Sequence, residues 1–97
     1  MEADDAAAPM QTEQKAKIFA ALADPTRLRL VELLIEYGEL SGTQMAEKAG
    51  ISPALTSHHW RILHEAGLIT RRKAGQTTYC SLNRAALATT FHALLQE

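Results

Sequence analysis

The sequence predicts a mainly α-helical domain carrying one small β-hairpin, in the order α-α-α-α-β-β-α. Three observations predict it. Four of the five helical stretches begin at a capping residue, and two of those caps (Asp24 and Ser52) are followed at once by proline. Two of the helices are separated by only a few residues around Gly50. Residues 68–82 are rich in Thr, Tyr and Ile on either side of a glycine, as a β-ribbon requires.

Taken in order, residues 1–12 are small, acidic and contain a proline, and they read as a disordered tail ahead of a single domain over 13–97. A first helix is expected from Thr12 or Glu13 to Leu22, with Ile18, Phe19 and Leu22 on one side. Asp24 caps a second, Pro25 takes its first position, and Gly38 ends it after Tyr37. Leu28, Leu30, Val31, Leu33, Leu34 and Ile35 make that helix apolar over most of its circumference, so it should be central. Ser41 and Gln44 have the spacing of a capping box, opening a short third helix that closes at Gly50. A fourth starts from Ser52-Pro53 and ends at Gly67. Helices joined so tightly cannot lie antiparallel and must cross steeply, which is a helix-turn-helix. The strands Leu68–Lys73 and Thr77–Leu82 turn at Ala74-Gly75-Gln76. A two-stranded ribbon is not stable alone, so it should lean on the helices as a wing. Asn83 caps a last helix bearing Leu87, Phe91, Leu94 and Leu95.

Bulk properties narrow the function. The formal net charge of −1 conceals an asymmetry: residues 1–50 carry five Lys/Arg and nine Asp/Glu, and residues 51–97 carry five and two. Charge segregated this way lets one face meet a polyanion while the rest keeps the protein soluble. No apolar run approaches the ~18 residues of a membrane span, and the acidic start lacks the order of a secretory signal, so a cytoplasmic protein is expected. A single cysteine, Cys80, excludes an internal disulfide and a multi-thiolate metal site within one chain. No nucleophile set, paired-carboxylate motif or phosphate-binding glycine loop points to an enzyme, and no cofactor is implied.

The fourth helix and the ribbon hold the candidate site. The major groove accepts one α-helix and offers donors and acceptors to short polar side chains and Arg. Ala54, Ser57, His58 and Arg61 fall at i, i+3, i+4, i+7 on one stripe, with Thr56, His59, Trp60 and Leu63 opposite. Periodicity alone leaves the buried face open, because Leu55 and Ile62 pull it toward themselves. Arg71, Arg72 and Lys73 lead to the glycine turn and are placed for phosphate contact rather than as an ordinary solvated strand end.

The stretches ALADPTRLRLVELL (21–34), SGTQMAEKAGISPALTSHHWRILHEAGLI (41–69) and RRKAGQTTYCSL (71–82) resemble the ArsR/SmtB family of bacterial winged-helix repressors. The resemblance selects the stripe, with Ser57 and His58 toward DNA and the position of Trp60, commonly Leu in the family, buried. It implies a homodimer through the first and last helices and a pseudo-palindromic double-stranded operator. The candidate DNA contacts are Ser52, Ala54, Ser57, His58, Arg61, Arg71, Arg72, Lys73 and Gln76.

Family members are often released by metal or metalloid ions. One family site places two cysteines where this chain has Ser41 and Thr43, and hydroxyls are poor ligands for soft ions. A second pairs Asp and His where Asn83 and Ala85 stand, leaving His92 and Glu97 isolated. The adjacent His58 and His59 project about 100° apart on a helix and cannot hold one ion. His59 is expected to pack half-buried, and Trp60 to lie in the core with a partner for its indole N–H. Cys80 and His92 are the candidate redox or effector residues, Cys80 weighed against inert packing and His92 against an ordinary surface or interface position. The effector stays open: metal, thiol chemistry, small molecule or partner protein. The expectation is thus a sequence-specific, dimeric DNA-binding repressor. Its rival is a winged-helix protein-interaction module that does not bind DNA.

Overall fold

The computed structural model describes residues 10–96. Residues 1–9 of the expected tail lie outside the described residues. The last residues assigned to that tail belong to the domain instead. Met10 packs against the core, and the Gln11 N–H donates to the Gln14 side-chain oxygen at 2.9 Å, opening α1 (Thr12–Leu22).

Helix α2 (Pro25–Tyr37) starts where the Asp24 carboxylate accepts the Arg27 N–H at 3.1 Å. Its Leu30, Val31, Leu33 and Leu34 are buried, while Leu28 and Ile35 are 44% and 47% exposed. The helix is central as expected, with one edge of its apolar belt left open within one chain. A fully buried Leu stabilises by about 1.5–3 kcal/mol and a helix cap by about 1 kcal/mol. Packing thus holds α2 in place, and the cap decides where it begins.

The strands differ from expectation in one respect. Glu39–Ser41 forms a short strand β1 that adds to the hairpin, giving a three-stranded antiparallel sheet in place of a two-stranded ribbon. With β2 (Ile69–Ala74) and β3 (Thr77–Leu82), the order is β1-β3-β2. Leu40 faces Cys80 across β1 and β3, and both are buried. That pairing anchors the hairpin to the body. The turn is also tighter than expected: Ala74 pairs with Thr77, leaving Gly75-Gln76 as a two-residue loop. Gly75 has φ +63° and Gln76 does not share a positive φ, the sign pattern of a type II′ turn, which suits glycine at the first position.

Between α3 (Gly42–Ala49) and α4 (Pro53–Glu65) the chain bends at Gly50, φ +68°. The Gly50 N–H reaches the Glu47 carbonyl at 3.3 Å and the Ile51 N–H reaches the Ala46 carbonyl at 3.1 Å. These two bonds form a Schellman motif. The end of α4 repeats it, with Gly67 N–H to His64 O at 2.9 Å and Leu68 N–H to Leu63 O at 2.9 Å. Both helices end in a motif that ties the departing chain back to the last turn, so the crossing of α3 on α4 and the launch of the wing are each fixed locally. Asn83 Oδ1 accepts the Ala86 N–H at 3.2 Å and starts α5 (Arg84–Leu95). Phe91 of α5 meets Phe19 of α1 edge-on at 5.7 Å.

Candidate nucleic-acid interface

Helix α4 resolves the face that periodicity left open. Thr56, His59, Trp60 and Leu63 are buried, and Ala54, Ser57, His58 and Arg61 are exposed together on the other side. Leu55 is 40% exposed and Ile62 only partly covered, so neither draws the buried face toward itself. Arg61 Nη2 lies 3.4 Å from His58 Nδ1, which makes those two a polar pair on the open surface. At the helix start, the exposed Ser52 Oγ accepts the Leu55 N–H at 3.0 Å, which leaves its hydroxyl hydrogen free to be donated. Ala54, Ser57, His58 and Arg61 thus present a small, polar, singly basic ridge that begins at the positive end of the helix dipole.

His59 is held from behind. Arg27 Nη1 lies 3.3 Å from His59 Nδ1, and Arg27 Nε donates to the Ala21 carbonyl at 2.7 Å. A guanidinium only donates, so Nδ1 of His59 is the acceptor and its ring proton sits on Nε2. Burial pushes the His59 pKa below its usual 6.5 against the opposing pull of the Asp24 carboxylate, and the charge of Arg27 adds a smaller push downward. Trp60 is buried as expected, but its Nε1 has no hydrogen-bond partner among the described residues, contrary to the expectation of one.

Three wing cations treated as one group are divided by the strand. Arg71 and Lys73 project on the side of β2 shared with Cys80 and Thr78, and Arg72 projects on the opposite side with Tyr79. Arg71 Nη2 reaches His64 Nδ1 at 3.3 Å, near the end of α4. Arg72 is engaged within the protein: Nη2 and Nε donate to the two Glu39 carboxylate oxygens at 2.8 and 3.2 Å, and its guanidinium lies 4.8 Å from the Tyr79 ring centre. Ser81 Oγ adds a third bond to Glu39 at 3.3 Å. Arg72 holds the Glu39 carboxyl below the ordinary carboxylate range, and Glu39 raises Arg72 in return. Gln76 is exposed at the tip. The residues that share a side with α4 are therefore Arg71 and Lys73, with Gln76 at the turn.

Glu39, His64 and Arg27 are the partners that inspection of the sequence missed. Glu39 sits in a strand of three residues, too short to show alternation. His64 and Arg27 act through contacts set by the fold.

The candidate effector positions are placed differently. Cys80 is fully buried, and burial pushes its thiol up to about 12. A thiol so protonated is a poor nucleophile. His92 is exposed on α5, with Nε2 3.1 Å from Gln96 Nε2. Glu97 lies outside the described residues. Ser41 Oγ accepts the Gln44 N–H at 3.1 Å, and Asn83 caps α5, so both positions discussed as ligand sites are occupied by helix capping. Among the described residues, no three His, Cys, Asp or Glu side chains come together as a metal-binding group, and no helix is long and apolar enough to cross a membrane.

Known proteins match this same framework. The model of the bacterial regulatory protein arsR family matches residues 24–71, from the cap of α2 to the start of the wing. The chain is 42% identical over 69 residues to the uncharacterized HTH-type transcriptional regulator YceK of Bacillus subtilis, covering 70% of this chain and 69% of that one. It is 39% identical over 70 residues to the transcriptional repressor SdpR of the same bacterium, covering 72% and 77%. An ArsR-like transcriptional regulator from Rhodococcus sp. RHA1 has a similar solved structure, with a TM-score of 0.78 at 27% identity over 84% of this chain and 76% of that one. So does a homodimeric winged helix-turn-helix DNA-binding domain from Mycobacterium bovis, a possible ArsR-family regulator, with a TM-score of 0.73 at 25% identity over 98% and 87%. Matched from the cap of α2 to the wing, and folded as these regulators are, the chain belongs to the ArsR family of bacterial transcriptional regulators.

Proposed function

We propose that this protein is a cytoplasmic transcriptional repressor that binds a pseudo-palindromic operator as a homodimer, regulating by occupancy without a catalytic step. The observation that carries this reading is the division of α4 into a buried face and an exposed polar ridge of Ala54, Ser57, His58 and Arg61. A helix exposed in this way can enter a major groove and present donors and acceptors to base edges. Arg71, Lys73 and Gln76 would contact the backbone beside it and fix register without reading sequence. Ser52, at the start of the helix, would donate its hydroxyl to a phosphate.

A dimer is supported by the apolar surface that one chain leaves open. Phe91, Leu94 and Leu95 of α5 are 47%, 52% and 80% exposed, next to α1 through the Phe19–Phe91 contact. Covering that surface with a second copy would place two α4 helices on one DNA face, and spacing of about 34 Å puts them in successive major grooves. The buried, protonated thiol of Cys80 argues for packing over thiol sensing, so we assign no effector.

The test is a gel shift on duplex DNA from upstream of the protein's own coding sequence, at graded salt. The expected result is a discrete complex whose affinity falls steeply with salt. Absence of any complex with that DNA and with a random-sequence pool would favour the interaction module over the repressor.

A further inference from the structure

We propose that Leu55 is a specificity-determining residue that recognises the C5-methyl group of a thymine in the major groove. The proposal rests on the DNA-binding reading above and adds to it the apolar half of the recognition surface. Among the described residues, the other exposed large apolar side chains lie on α2 (Leu28, Ile35 and Tyr37) and α5 (Phe91, Leu94 and Leu95). Leu55 is alone on α4, 40% exposed, between the exposed Ala54 and the buried Thr56. The core does not require it, because Thr56, His59, Trp60 and Leu63 already form the packed face.

Its position matches a base-edge role. The first turn of a groove-bound helix is the part that reaches bases, and the Leu55 N–H is fixed there by Ser52 Oγ at 3.0 Å. The side chain leaves the helix on the flank adjoining His58, two turns before Ile62. Beside the donors and acceptors of the major-groove base edges, the thymine methyl is the one apolar group larger than a ring C–H. Ser57, His58 and Arg61 serve the polar groups. An isobutyl group in the same surface has one chemically matched partner, and burying it there removes from water an apolar side chain that the free protein leaves exposed.

The experiment uses the highest-affinity duplex selected from a random-sequence library by the full chain. Each thymine of a half-site is replaced in turn by deoxyuridine, which removes only the methyl group, and binding is measured for the wild type and Leu55→Ala. At one thymine position, the wild type is expected to lose about fourfold in affinity, the value of one buried methyl-sized group. Leu55→Ala should show the loss already on thymine DNA and no further loss on deoxyuridine. Because the side chain is outside the core, circular dichroism of the variant should match the wild type. Equal deoxyuridine penalties for both proteins, no penalty for either, or a selected half-site without thymine would overturn the assignment to Leu55 while leaving DNA binding intact. Selection that enriches no duplex would overturn the DNA-binding reading itself.

Discussion

At His59 a single side chain ties α4 to the body of the domain. Its Nδ1 must be unprotonated to accept from Arg27, and a proton there would remove the acceptor and set two positive charges 3.3 Å apart. Burial lowers the folded-state pKa below 6.5, so the unfolded chain takes up the proton first as pH falls. The contribution of His59 to stability is therefore complete above about pH 6.5 and is lost as pH drops from there through the lowered folded value. We expect the thermal midpoint of the wild type to fall between pH 7.5 and pH 5, and the fall to be smaller in His59→Gln, which keeps an acceptor without titrating. Identical pH profiles would show that the Arg27 contact does not hold the ring neutral. Arg72 and Glu39 give a second residue-scale case. A bidentate pair stacked near Tyr79 should couple in a double-mutant cycle on stability, with Glu39→Gln and Arg72→Ala each removing part of the same interaction.

Among the elements, the wing shows most clearly what the β period does to a run of charge. Arg71, Arg72 and Lys73 are consecutive, but a strand sends neighbours to opposite faces, and only Arg72 lands beside Glu39. Arg71→Ala and Lys73→Ala are each expected to reduce the slope of log affinity against log salt by about 0.9, the contribution of one phosphate contact. Arg72→Ala should reduce it less, because its charge is already matched. Equal reductions for all three would mean that DNA displaces Glu39 from Arg72. The helices, their caps and the α3–α4 bend were legible in the sequence because each signal is local: Asp24-Pro25, Ser41 with Gln44, Ser52-Pro53, Gly50 and Gly67. Strand β1 was not, since Glu39–Ser41 owes its conformation to pairing with residues some forty positions later. The same distance hid the Glu39–Arg72 pair and the Arg27–His59 contact. The exposed ridge of α4 needed a resemblance to choose its face. Leu55 is apolar without being core and Ile62 only borders it, and a period cannot show that.

For the whole molecule, the charge asymmetry along the chain becomes an asymmetry of function. The net-positive half from residue 51 onward contains α4 and the wing, and the acidic half supplies the helices behind them. The large apolar side chains left open away from α4 lie on α2 and α5. Leu94→Glu would place a charge where the second copy is proposed to pack, and we expect it to convert a dimer to a monomer in analytical ultracentrifugation. The monomer should lose most operator affinity, since each half-site then binds alone. A variant that stays dimeric would move the interface away from α5.

The central claim is that α4 reads sequence and the wing does not. It is tested most directly by measuring binding of the wild type, Arg61→Ala and Lys73→Ala to a panel of single-base variants of the selected operator. Lys73→Ala is expected to weaken every duplex by a similar factor, and Arg61→Ala to change their order, with discrimination lost at one or two positions. If Arg61→Ala lowered all affinities in parallel and left the order unchanged, the exposed ridge of α4 would not be the surface that reads the bases.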